Sequence, residues 1–425
     1  MTNSQSSEIE FAAYIGMDWA DQKHDICLQE VGSDQLEVTQ IEHKPEALIT
    51  WVAQLRQRFQ GRPVAIALEQ SRGALLYSLM HYDFLVLYPI HPNSLANYRE
   101  AFTPSGAKDD PVDAQLQLEM VRLHRDKLRP WKADDSLTRT ISLLVEARRK
   151  LVNDRTRLTN RLRALLKQYF PQALAWAGEL NTQRAVDFLM RWPQLSQLQQ
   201  TEPSGVRQFY QEHYRLGEKL DQYLAEISTA QPLTRDSAVI DSSVSLVQAL
   251  IPQLRELNCG IARLDQQIQE LYAKHPDAQI FRSLPGAGQT LAPRLLAAFG
   301  ADRERFATAE ELQRYSGIAP VTKRSGKTKL VQRRFARPKF VCQSFHEFAK
   351  SSILWSSWSR AYYEQQRRRG HQYHEAIRAL AYKWIRIIYR CWQLRVPYDE
   401  AVYIKSLELR SSPLAKLIAP EVTQR

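Results

Sequence analysis

The first 130 residues alternate between short apolar runs and stretches with helical spacing. Phe11 to Ala20 (FAAYIGMDWA) is an apolar run that carries Asp18 near its end. Lys23 to Val31 and Gln35 to Ile41 alternate like half-buried strands. Pro45 to Phe59 has the period of an amphipathic helix, and Pro63 to Leu68 (PVAIAL) reads as a buried strand that ends at Glu69. Arg72 to Tyr82 is predicted helical, Phe84 to Ile90 a second buried strand, and Pro92 to Phe102 a further helix. The pattern then changes. Leu137, Leu144, Leu151, Leu158 and Leu165 recur at every seventh position. A second array runs Val247, Leu250, Leu254, Leu257, Ile261, Leu264, Ile268, Leu271, with Pro252 inside it, where a helix would begin or kink. Towards the C-terminus, Ile377, Leu380, Ala381, Trp384, Ile388 and Cys391 form one helical stripe.

These periods predict three regions. Residues 1–130, with antiparallel strands first and strand–helix alternation after, have the order of a ribonuclease-H-like (RuvC-like) α/β domain. Residues 131–275 are expected to form helices of coiled-coil type around a helical, Gln-rich insert, Phe170 to Ser245, to which no role is assigned. The two arrays fit a hairpin within one chain or a pairing between chains. Residues 276–425 are expected to be mainly helical. In that region Ile280 to Gly300 (IFRSLPGAGQTLAPRLLAAFG) resembles a helix-hairpin-helix, in which Gly286 and Gly288 would turn the backbone so that N–H groups at a helix start meet a DNA phosphate.

Charge narrows the partners. Lys plus Arg number 58 against 46 Asp plus Glu, a formal net charge of +12, which favours nucleic acid or another anionic surface. No apolar run is long enough for a membrane helix, and the polar, acidic first ten residues are unlike a signal peptide. Cys27, Cys259, Cys342 and Cys391 lack metal or disulfide spacing. Together these suggest a reducing, cytoplasmic setting beside DNA or RNA.

The strongest charge feature is Leu312 to His346, which holds no Asp or Glu and nine basic residues. Ser325-Gly326 sits inside it, flanked by Lys323, Arg324 and Lys327, with Lys329, Arg333 and Arg334 following. A serine hydroxyl is a weak nucleophile unless its surroundings activate it. A ring of cations both holds a phosphodiester and stabilises the charge that develops on attack. The plain alternative is a solvated basic loop that touches nucleic acid, with Ser325 as a turn residue. On the first leucine array, Arg148 and Arg155 belong to a dense run of arginines expected to follow a phosphate backbone.

The second feature is a set of carboxylates. Asp18 lies in the first strand, Glu69 at the end of a central one, and Asp110 and Asp113 one helical turn apart after a turn-rich stretch. Mg²⁺ prefers carboxylate oxygen together with water and phosphate, and two such ions activate and stabilise the oxygens of phosphodiester transfer. Asp110 also fits a simple helix cap before Pro111, and Asp109 rivals it.

Taken together, IGMDWA, ALEQSRG, KDDPVDA, LPGAGQTLAPRLLAAFG and YSGIAPVTKRSGK resemble the DEDD transposases of bacterial insertion sequences, the insertion-sequence-110 family of bridge-RNA-guided DNA recombinases. The resemblance implies that Asp18, Glu69, Asp110 and Asp113 hold Mg²⁺ and that Ser325 attacks DNA, leaving a phosphoserine link and a free hydroxyl end. It also implies donor and target DNA, a structured guide RNA that selects them, and dimers that pair into a tetramer. Asp109 stands where the family often has a small polar residue, and Ser71-Arg72-Gly73 has one residue more before the glycine than the commoner form. The alternatives are a RuvC-like metal-dependent junction resolvase, in which water attacks, and an architectural nucleic-acid-binding protein.

Overall fold

The computed structural model describes residues 9–69, 73–102, 110–213, 218–326 and 328–418, with only the backbone of Phe102, Asp110 and Glu218. The chain divides into two units, up to Ala133 and from Asp134 onward.

The first unit is built on one five-stranded sheet in the order β3-β2-β1-β4-β5. Strands β1 (Ala13–Asp18), β2 (Lys23–Glu30) and β3 (Glu37–Glu42) are antiparallel neighbours. After α1 (Pro45–Arg58), strand β4 (Val64–Leu68) pairs parallel to β1. Helix α2 (Ala74–Leu79) then leads to β5 (Leu85–Pro89), parallel to β4. Every residue of β4 is buried, as expected for a central strand covered on both faces. One face packs Ile15, Met17, Ile66 and Leu68 against Trp51, Val52, Leu55, Leu76 and Leu79. The other carries α4 (Asp110–Leu123), which follows α3 (Pro92–Phe102). Contact there is so close that a Cβ on Gly16 would lie 1.8 Å from Ala114 O and 2.5 Å from Leu118 N. Glycine in IGMDWA is thus what lets α4 lie on β1.

The second unit is helical apart from one hairpin. Helix α5 (Ser136–Tyr169) runs into five short helices: α6 (Ala173–Trp176), α7 (Gln183–Arg191), α8 (Leu195–Gln199), α9 (Pro203–His213) and α10 (Glu218–Thr229). Helix α11 (Ser237–Ala273) returns alongside α5 and continues through Pro252. The pairing is antiparallel and within one chain: Thr138 meets His275, Arg148 meets Asp265, and Arg155 meets Asn258. The short helices enclose their own core of Phe170, Trp176, Phe188, Trp192, Phe209 and Tyr210, closed by Leu162 and Leu166 of α5 and Val247 and Leu254 of α11.

At the other end of the α5–α11 pair lies a second core. It gathers α12 (Ala278–Arg282), α13 (Gly288–Phe299) and α14 (Ala309–Tyr315), then α15 (Lys339–Trp355), α16 (Ser357–Arg368), α17 (Tyr373–Leu394) and α18 (Glu400–Leu409). The stripe expected on α17 is buried here, with Ile377, Leu380, Ala381, Trp384 and Ile388 at 0% exposure. Between α14 and α15 the basic segment is a two-stranded hairpin, β6 (Val321–Ser325) and β7 (Thr328–Gln332), where a loop was expected. Among the described residues, no helix is long and apolar enough to cross a membrane.

Candidate functional site

In the first unit Asp18 and Asp25 lie on the face of the sheet that carries α4. Asp18 is two residues beyond Gly16 and shares its face. It is 8% exposed. Its direct partner across the β1–β2 ladder is Asp25, which is 6% exposed and accepts a hydrogen bond from Gln40 Nε2 at 2.8 Å. On the other side, the last β1–β4 pair is Met17 with Leu68, and Asp18 and Glu69 come next on their strands. Asp25 and Asp18 therefore stand opposite each other, with Glu69 one residue past the end of the adjacent β4. Asp113, in the first turn of α4, is 2% exposed and accepts a hydrogen bond from Arg99 Nε of α3 at 2.7 Å, within a salt bridge. Asp110 opens α4 one turn earlier. Asp109 lies outside the described residues.

Two groups here escaped sequence reasoning. Asp25 is a polar residue in a buried strand, but only the hairpin register shows that it faces Asp18. Arg99 gave no pattern that ties it to Asp113. Beside them, His24 Nε2 is 3.0 Å from His43 Nδ1, and its pKa lies below the ordinary histidine value because of burial and the neighbouring His43.

In the second unit, Ser325 closes the β6–β7 hairpin opposite Thr328 and is exposed. Gly326 follows it at φ +55°, the left-handed region a tight hairpin turn requires. Lys327 lies outside the described residues. Lys323, Arg324 and Lys329 are exposed on the hairpin, and the Arg333 guanidinium lies 5.3 Å from the ring centre of Phe335. Arg334 is only partly exposed. In the α12–α13 connection, Gly286 (φ +79°) and Gly288 (φ +53°) take positive φ. Ser351 Oγ donates to Gly286 O at 2.7 Å, and a Cβ on Gly286 would lie 2.9 Å from Trp355 Cδ1.

Arg148 and Arg155 are not on the outer face expected of them. Arg148 donates to Asp265 Oδ2 at 3.0 Å and Arg155 to Asn258 Oδ1 at 3.4 Å, so both turn toward α11. The register of the helix pair decides this: both occupy positions facing the partner helix, where a charge needs a counter-group.

An α/β unit with a carboxylate-lined sheet, joined to a helical unit with a basic hairpin, suits an enzyme that works on phosphodiesters, and comparison with known proteins defines the class. Residues 15–171 match the DEDD transposase family of IS110, and residues 278–364 match the "Transposase IS116/IS110/IS902 family". The chain belongs to the IS110 family of DEDD transposases, which makes it a DNA-processing enzyme. It is 28% identical over 409 residues to the IS117 mini-circle protein of Streptomyces coelicolor, covering 92% of this chain and 97% of that one. It is 27% identical to the 42 kDa protein of insertion element IS900 from Mycobacterium paratuberculosis, covering 84% and 88%. It is also 27% identical to the 43.6 kDa protein of IS110 itself from Streptomyces coelicolor, covering 67% and 71%.

The family implies a divalent cation. The donor chemistry fits, since Asp18, Glu69, Asp110 and Asp113 offer only carboxylate oxygen, and Asp18 and Asp25 oppose each other with little water to screen them. Among the described residues, no three acidic, histidine or cysteine side chains converge into a ready cage.

Proposed function

We propose that this transposase is an RNA-guided DNA recombinase that cuts and rejoins the strands of an insertion sequence and its target through a serine nucleophile. The observation that carries this reading is the position of Ser325. It stands exposed at the turn of a cationic hairpin, inside a stretch of 35 residues, Leu312 to His346, without a single acid. In the proposed step Ser325 Oγ forms a bond to phosphorus and the bond to the leaving oxygen breaks. The hydroxyl proton passes to solvent, and the leaving oxygen takes one up as a free DNA hydroxyl. Lys323 offsets the charge on the phosphate oxygens, and Arg324, Lys327 and Lys329 belong to the cationic surface that holds the DNA backbone. In the other unit, Asp18, Glu69, Asp110 and Asp113 would hold Mg²⁺, which supplies Lewis-acid stabilisation of reacting oxygens when bound.

The remaining parts suit the same activity. Residues 1–130 act as the carboxylate domain, 131–275 as the helical spacer of coiled-coil type, and 276–425 as the serine domain. The α12–α13 connection grips backbone in the manner of a helix-hairpin-helix, through amides near Gly286 and Gly288. A structured RNA reads the sequence by base pairing while the arginines and lysines hold backbones. Subunits associate as dimers that pair into a tetramer, so that carboxylate and serine domains from different copies complete a site.

The test is a covalent-adduct assay. The protein is co-expressed with the non-coding RNA encoded beside its gene and mixed with end-labelled element and target DNA and Mg²⁺. Label should migrate with the protein on a denaturing gel and disappear in Ser325→Ala and in Asp18→Ala. Cleavage without adduct that survives Ser325→Ala would instead support the junction-resolvase reading, with water as nucleophile.

A further inference from the structure

The β6–β7 hairpin sorts its residues by face. Its ladder pairs Lys323 with Leu330 and Ser325 with Thr328, so these four share one face. Arg324 pairs with Lys329 and Thr322 with Val331, so these four share the other. Among the described residues of the second unit, neither face is covered. All eight side chains are exposed, Leu330 at 53% and Val331 at 54%. A two-stranded ribbon on its own is marginal in water, so open cationic faces on both sides mark it as an element completed by a partner. Arg324 and Lys329 sharpen the point. Like charges directly opposite each other repel, and an anion between them removes the repulsion. No acid of the segment from 312 to 346 supplies one.

We propose that the hairpin is a two-sided ribbon lying between two DNA phosphates. On the Ser325 face, Lys323 contacts the phosphodiester under attack. On the opposite face, Arg324 and Lys329 clamp a phosphate of a second backbone segment. This rests on the reading of Ser325 as nucleophile and adds a division of labour among the cations around it. The partner is DNA and not RNA because a two-stranded ribbon fits the roughly 12 Å major groove of a B-form duplex, whereas the A-form major groove is too narrow for it.

The experiment compares Lys323→Ala, Lys323→Arg and the double variant Arg324→Ala/Lys329→Ala in the full-length protein with its RNA. Circular dichroism melts first establish equal folding. Two quantities are then read: the single-turnover rate of adduct formation against DNA concentration, and the log–log salt slope of binding to a 30-base-pair duplex.

Lys323→Ala should lower the rate at saturating DNA at least ten-fold, and Lys323→Arg should restore most of it. The double variant should raise the half-saturating DNA concentration at least ten-fold while lowering the saturated rate less than Lys323→Ala does. It should also make the salt slope shallower by about 0.9 to 1.8, one or two phosphate contacts. An equal fall in saturated rate for both variants, or an unchanged duplex slope, overturns the proposal. So does a slope change seen only with an RNA hairpin probe. If Ser325→Ala still forms the adduct, the nucleophile reading falls, and the duplex slope alone decides the opposite-face clamp.

Discussion

Asp18 and Asp25 are direct partners across the β1–β2 ladder, at 8% and 6% exposure. Two carboxylates in that relation repel each other, and deleting either charge relieves that repulsion. Asp25→Asn keeps an oxygen for Gln40 Nε2 and deletes one charge. The metal-free protein should become more stable, by up to about 1 kcal/mol. Urea denaturation in chelator measures this, and the advantage should shrink when Mg²⁺ is added. A loss of stability in chelator would mean that Asp25 is needed as a charge even without metal.

Asp113 raises the converse case. It is buried, and its charge is balanced by Arg99. Removing one partner of a buried pair leaves the other uncompensated, so Arg99→Ala should destabilise the metal-free protein by about 3 kcal/mol. If Asp113 is a metal ligand, Mg²⁺ should raise the melting temperature of the variant more than that of the parent. Equal Mg²⁺ shifts in the two proteins would argue against that role.

Gly16→Ala tests how α4 is seated. The added methyl would meet the backbone of Ala114 and Leu118, which has no rotamer to yield. We expect a loss of at least about 2 kcal/mol from overpacking. Strand transfer should fall with it, because α4 carries Asp110 and Asp113. Denaturation and adduct assays on the same sample would show whether the two losses run together.

The joint between α5 and α11 should be acid-sensitive. Asp277 N donates to His275 Nδ1 at 3.0 Å, which leaves the Nε2 hydrogen to point at Thr138 Oγ1, 2.9 Å away. Burial holds His275 below the usual histidine pKa, and Arg303 adds to this, although Asp277, Asp135 and Asp134 pull the other way. A folded-state pKa below the unfolded value of about 6.5 means the unfolded chain takes up the proton first. Stability from this group is therefore complete above about pH 6.5 and falls as the pH drops, by at most about 1.4 kcal/mol per pH unit. His275→Asn should flatten the pH 5–7 dependence of denaturation midpoints, by at most one proton. His24 and His346, also lowered mainly by burial, should leave a residual slope of the same sign.

Arg148 should matter for folding more than for nucleic acid. A double-mutant cycle with Asp265 should return about 0.5–1 kcal/mol of coupling, because the pair is partly exposed. The salt slope for DNA or RNA should be unchanged in Arg148→Ala. A slope reduced by a full contact would restore this arginine to the binding surface.

What could be read from the chain follows from what each pattern encodes. The central strands were legible as short continuous apolar runs, because both their faces are buried, and the stripe of α17 was legible because one buried face imposes a period of 3.6. The β6–β7 hairpin was not legible, since Val321 to Gln332 buries neither face and has no apolar alternation to betray a strand. Asp25 was missed because its meaning lies in register: sequence gives the strand, and only pairing with β1 sets it against Asp18. Arg148 and Arg155 were misplaced for a related reason. Their heptad positions were visible, but which of them face the partner depends on how the two helices slide past each other.

The α5–α11 pair has a consequence for engineering. The chain leaves along α5 and returns along α11, so the five-helix module between Phe170 and Ser237 begins and ends at neighbouring points. It is attached like a domain inserted into a host. A replacement with closely spaced termini, such as a fluorescent reporter, could be grafted at the same two helix ends. Helices α12 to α18 would keep their core.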